Sequence, residues 1–165
     1  NEIPWALSQF KALRSSTTKL IANDAMSYSI LIEENIDQDS TYNGLRLFAN
    51  AEKEIEYNNL SLSKQYLDSI NTSYLYHPLF DEVLILRAKI SILEKNFEQA
   101  KEYLKESLKK YPYELTADDA LYILSDIYLN QTKEISLAKE TLEKIIIDYP
   151  NSIYVIEARK LLNEL

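Results

Sequence analysis

The one histidine, His77, stands directly before Pro78 in a segment that reads as a loop. An imidazole can serve as a general base or bind a metal, but each role needs a partner at fixed spacing: an orienting carboxylate, or further ligands on the same helical face. The chain has no cysteine and no helical Glu-x-x-His pair, so His77 reads as turn surface. Two carboxylate clusters are the other candidates. Glu33 and Glu34 with Asp37 and Asp39 could gather oxygens around calcium, yet the segment lacks the glycine and the ordered oxygen spacing of a calcium loop. Solvated charge is the better account. Asp118 and Asp119 open a helical pattern, where acidic groups complement the positive end of the helix dipole. No glycine-rich phosphate loop, nucleophile elbow or dinucleotide fingerprint occurs. The expectation is no catalytic residue, no metal and no cofactor: a chain that acts by binding.

Composition narrows what kind of scaffold could do that. With 46% apolar and 27% charged residues, a chain of 165 residues can bury a continuous core. A single glycine, Gly44, leaves little for the tight turns and bulges of sheets. The formal charge of -8 opposes phosphate backbones, which excludes nucleic acid as the expected partner. The longest apolar runs, Ile30-Leu31-Ile32 and Ile145-Ile146-Ile147, fall far short of the roughly 20 residues of a membrane span. A start at Asn1 rather than Met reads as a fragment or processed product.

A repeat supplies the framework. Ala100-Lys101-Glu102, Leu104 and Tyr111-Pro112 return 38 residues later as Ala138-Lys139-Glu140, Leu142 and Tyr149-Pro150. Asn96-Phe97, Lys101, Tyr103 and Leu104 match Asn59-Leu60, Lys64, Tyr66 and Leu67 37 residues earlier, with Ser63 where Ala100 stands. The preceding helices agree, pairing Leu47 with Ala51, Leu84 with Ala88, and Leu121 with Ser125. Periodicity predicts helices over 3–15, 17–36, 41–57, 60–71, 79–95, 97–110, 116–131, 135–148 and 152–164. Thr116 with Asp119 resembles a capping box, and Asn151-Ser152 is expected to cap the last helix.

These residues resemble the tetratricopeptide repeat family. Leu121, Leu124, Ser125, Tyr128, Ala138, Leu142, Ile145 and Pro150 follow its order of large and small positions, with one residue inserted in the turn. The resemblance implies an all-α fold: a right-handed superhelical solenoid of antiparallel helix hairpins, about nine helices in all. It divides a single solenoid over 1–165 into a degenerate N-terminal hairpin (1–40), three repeats (41–78, 79–115 and 116–151) and a C-terminal capping helix (152–165). Tyr149-Pro150-Asn151-Ser152-Ile153-Tyr154 and Tyr111-Pro112 are similar to the longer-period variant of bacterial cell-envelope proteins, including outer-membrane assembly lipoproteins. An envelope or periplasmic location is therefore favoured over the cytoplasm.

The family holds peptides or helices on the concave face lined by the first helix of each repeat. Carried over by position, that face presents Leu45, Phe48, Glu52 and Ile55, then Glu82, Ile85, Lys89 and Ile92, then Asp119, Tyr122, Asp126 and Leu129. The expected occupant is a protein segment, amphipathic or basic, seated on an apolar stripe with an acidic border. The competing reading is that Phe48, Ile85 and Tyr122 are core. A C-terminal carboxylate clamp needs lysine and asparagine at inward positions where this sequence has Phe48, Ile85 and Tyr122 with Glu52 and Asp126, so no such clamp is expected. Tyr111 and Tyr149 are expected to plug junctions between repeats, and Tyr74 and Tyr76 to be exposed. Two alternatives have other roots: an accessory or substrate-recognition segment of a larger envelope enzyme or transporter, and a homo-oligomer joined through Trp5 and Phe10.

Overall fold

The computed structural model describes residues 2–15, 18–35, 41–73 and 78–165, and every regular element among them is helical. In chain order these are α1 (Glu2–Leu13), α2 (Lys19–Glu34), α3 (Asn43–Glu56), α4 (Leu60–Ser73), α5 (Phe80–Leu93), α6 (Phe97–Lys110) and α7 (Ala117–Asp126). A π-helical turn (Ile127–Gln131), α8 (Ile135–Asp148) and α9 (Val155–Glu164) complete them. Each lies within a few residues of its predicted span. His77, Tyr74, Tyr76, Asp37 and Asp39 lie outside the described residues. The chain forms two compact units, Asn1–Phe80 and Asp81–Leu165.

In the first unit, α1 packs along α2 without burying any of its own residues. Phe10 stacks on Tyr28 at 5.2 Å between ring centroids, and Lys11 pairs with Glu33. One face of α2 is buried through Ala25, Ser29 and Ile32, spaced four and three apart as a helix requires. The α3 and α4 pair is tighter. Ala51 and Ser63 are both wholly buried, and the Ser63 hydroxyl donates to the Ala51 carbonyl at 2.8 Å. Serine thus replaces the expected alanine without leaving an unsatisfied polar group.

In the second unit the hairpins share one core. Ile85 and Ala88 of α5, Ala100 and Leu104 of α6, Ala120 and Leu124 of α7, Ile127 and Tyr128 of the π turn, and Ala138 of α8 form one cluster. Leu121, Leu142, Ile145 and Ala158 carry the packing on to α9. Ala88, Ala100 and Ala138, where the spacing predicted small residues, have no exposure, so backbones meet there, and Ala120 and Ala158 are buried as completely. Burying a leucine such as Leu104 contributes roughly 2 kcal/mol. Packing between neighbouring helix pairs is that of a helical-repeat solenoid.

The turns within hairpins explain how the chain manages with one glycine. Asn58, Lys95 and Lys133 adopt φ of 57°, 61° and 59°, the left-handed conformation that most often selects glycine. They recur at the repeat period, 37 and then 38 residues apart. After α3 and α5 the turn is a Schellman motif. Asn58 N–H donates to Ile55 O and Asn59 N–H to Glu54 O, both at 2.8 Å, and Lys95 and Asn96 donate likewise to Ile92 and Ser91. Asn96 also caps α6, its Oδ1 accepting from the Gln99 N–H at 3.3 Å. Gly44 serves no turn; it is buried in the first turn of α3.

The third hairpin differs, and the expected inserted residue is not in its turn. Helix α7 runs on into the π turn, where Thr132 N–H reaches back five residues to Ile127 O at 3.0 Å, and Glu134 N–H reaches six, to Tyr128 O at 2.8 Å. The extra residue of the 38-residue period is absorbed as one wide helical turn, after which Lys133 restores the usual exit. Lys101 of α6 covers this segment. Only 7% exposed, it pairs with Glu134 at 2.7 Å and Glu98 at 2.9 Å and lies over the Tyr128 ring. The ion pair holds the Lys101 ammonium above, and the Glu134 carboxyl below, their ordinary ranges.

Both predicted side-chain caps are corrected by the structure. Thr116 precedes α7 but makes no cap bond; its hydroxyl donates instead to Asp81 Oδ2 in the first turn of α5, at 2.8 Å. The last helix begins at Val155, with Tyr154 in the capping position and no side-chain cap. Ser152 Oγ accepts the Tyr154 N–H at 3.1 Å, forming a turn before the helix rather than capping it. The junction role foreseen for Tyr149 is seen in its hydroxyl, which donates to the Pro112 carbonyl at 2.6 Å.

Candidate functional site

Residues 82, 85, 89 and 92 of α5 stand three, four and three apart, which confines them to one side of the helix. The same spacing holds for 119, 122, 126 and 129 along α7 and the π turn, and for 45, 48, 52 and 55 in α3. Exposure differs sharply along these rows. Ile85 is 6% exposed and belongs to the shared core of the second unit; Ile92 and Leu129 are half-buried against it. Lys89 and Asp126 are exposed. In the first unit Leu45 and Phe48 are 4% and 5% exposed, whereas Glu52 and Ile55 are half-buried.

The most organised part surrounds Asp119 and Tyr122. Tyr154, in the capping position just before α9, lays its ring on Tyr122 at 4.2 Å between centroids and only 10° from parallel. Its hydroxyl donates to Asp119 Oδ1 at 2.6 Å. Burial pushes the Asp119 carboxyl above its usual range against the opposing effects of that bond and of Lys89. Burial and the neighbouring carboxylate push the Tyr154 phenol strongly upward. Asp126 accepts from Asn130 Nδ2 at 2.6 Å. In the first unit Tyr28 of α2 faces Glu52, and burial followed by that carboxylate raises its phenol.

The structure thus brings Lys89, Asp119 and Tyr122 to one region and adds Tyr154, which sequence reasoning did not include. The signal for it was present, since Tyr154 stands 38 residues after Thr116 and 35 after Asp119, as Thr116 stands 35 after Asp81. An aromatic pair, a desolvated carboxylate and exposed charges of both signs provide apolar area with ionic edges. Such a surface can hold a polypeptide segment.

Among the described residues no helix is long and apolar enough to cross a membrane. Comparison with known families matches residues 41–165 to the YfiO family, described as outer membrane lipoprotein. The matched span begins just before α3 and omits α1 and α2. No curated protein and no solved structure matches the chain.

Proposed function

We propose, from the premise that the chain belongs to the YfiO family of outer membrane lipoproteins, that it holds a segment of a protein partner against the inner sides of its first helices. Membership places the chain in the bacterial cell envelope, and it supports the reading of a non-enzymatic interaction scaffold of tetratricopeptide type. The carrying observation is the row on α5 and α7, where half-buried Ile92, Tyr122 and Leu129 are bordered by exposed Lys89 and Asp126. Half-buried apolar groups provide desolvation on contact, and the charged border sets register and partner choice.

An amphipathic segment carrying basic groups fits this row, since Asp119 and Asp126 outnumber Lys89 on it. Taken by itself, α3 of the first unit has Glu52 and Ile55 half-buried and Leu45 and Phe48 buried. Capture from an envelope extract should be compared between the intact protein and a Lys89→Glu, Asp126→Lys variant, both checked for equal helical circular dichroism. Loss of specific partners from the variant is expected; the same partners bound by both would overturn the assignment of this face. Self-association is a second reading, favoured by Trp5 at 67% exposure on α1. Light scattering across a concentration series, with Trp5→Ser as control, separates it.

A further inference from the structure

The joint between α5 and α7 contains a group that the binding role leaves unexplained. Asp81 and Glu82 are consecutive in the first turn of α5, yet Asp81 is 4% exposed and Glu82 Oε2 is buried with no hydrogen-bond partner. A carboxylate only accepts hydrogen bonds, so two adjoining buried carboxylates cannot satisfy each other. The charged groups that face Glu82 are Asp81 and Glu114, the latter on the loop before α7, and both are acidic. Tyr111, at the end of α6 beside Lys110, faces Asp81 rather than Glu82. Thr116 commits its hydroxyl to Asp81 Oδ2.

One proton resolves this arrangement. On Glu82 it removes a desolvated charge and supplies a donor to Asp81, whose carboxylate then accepts from two hydroxyls, Glu82 and Thr116. We propose that Asp81 and Glu82 share a single proton, and that this proton latches the start of α7 to the start of α5. Burial first, then the Asp81 neighbour, pushes the Glu82 carboxyl up to about 9, so the latch is closed at neutral pH and opens under alkaline conditions. The next joint is built differently: the Tyr154 hydroxyl donates directly to Asp119, and the neighbouring acid, Asp118, accepts the Asp119 N–H.

The sign of the effect follows from proton counting. Between the ordinary carboxyl range and pH 9 the folded chain holds a proton that the unfolded chain has released, so stability falls as pH rises through that window. The test is the infrared carbonyl stretch of protonated carboxyl groups, recorded on the full chain at pH 7.5 and through pH 10. A band at pH 7.5 that titrates away near pH 9 and is missing in Glu82→Gln is the expected result. Amide exchange at residues 117–120, corrected for intrinsic rate, should accelerate at least about tenfold over the same range in the wild type and not in Glu82→Gln. Asp81→Asn keeps Glu82 but removes its acidic neighbour, and should move the band's midpoint to lower pH. A wild type with no such band at pH 7.5, or a band retained in Glu82→Gln, overturns the shared proton; equal acceleration in both proteins overturns the latch.

Discussion

The α5–α6 and α7–α8 hairpins are built on one plan and differ by a single residue. Both meet through buried small side chains, Ala88 with Ala100 and Ser125 with Ala138. Both leave the first helix through a left-handed lysine, Lys95 or Lys133. In the first hairpin that exit is a Schellman turn on a regular helix; in the second, five residues widen into a π turn and Lys101 reaches across to Glu134 and Tyr128. The repeat therefore conserves helix contacts and turn exit, and takes up a length change inside the helix between them. A widened turn costs less than a displaced contact, because it re-pairs its backbone groups over five and six residues, whereas a displaced alanine would drive a bulky neighbour into the close approach.

The largest expected effect tests the shared element. Ala88→Leu and Ala138→Leu should each destabilise by about 2–3 kcal/mol through overpacking, measured by urea unfolding; a tolerant Ala138 would mean the π turn loosens the contact. The two joints come next. Thr116→Val leaves Asp81 without its hydroxyl donor and should cost about 1–2 kcal/mol, with Tyr154→Phe costing a similar amount at the more accessible Asp119. Deletion then separates the hairpins. Removing Asn130 should let the π turn close into α-helix, while removing Leu93 misaligns a regular helix, and the second deletion should cost about 2 kcal/mol more than the first. Equal costs would show that the extra residue is not what the π turn absorbs. The smallest effect favours the protein: Lys95→Gly and Lys133→Gly should each stabilise by about 0.5–1 kcal/mol, since glycine enters the left-handed region without steric strain.

Much of this plan was legible because it rests on side-chain size. Alanine at 88, 100 and 138, with leucine at 104 and 142, marks helix contacts wherever the spacing is read, and Ser63 could be placed by register alone. Features that depend on a distant partner were not legible. Thr116 and Asp119 satisfy the local pattern of a capping box, yet Asp81, 35 residues away, takes the hydroxyl. The 38-residue interval announced an insertion but not its place, since a π turn has no composition of its own. Phe48 and Ile85 keep the same helical spacing whether a partner or the chain itself covers them, and only the packing shows that both are buried.

The central claim, that a partner lies along the inner row of α5 and α7, is met most directly by photo-crosslinking in the living cell. A photoreactive amino acid would replace Lys89, Asp126 or, as an outward control on α8, Lys144, each an exposed side chain. The account predicts a common protein adduct from positions 89 and 126 and none from 144. Adducts from 144 alone, or from all three alike, would contradict it.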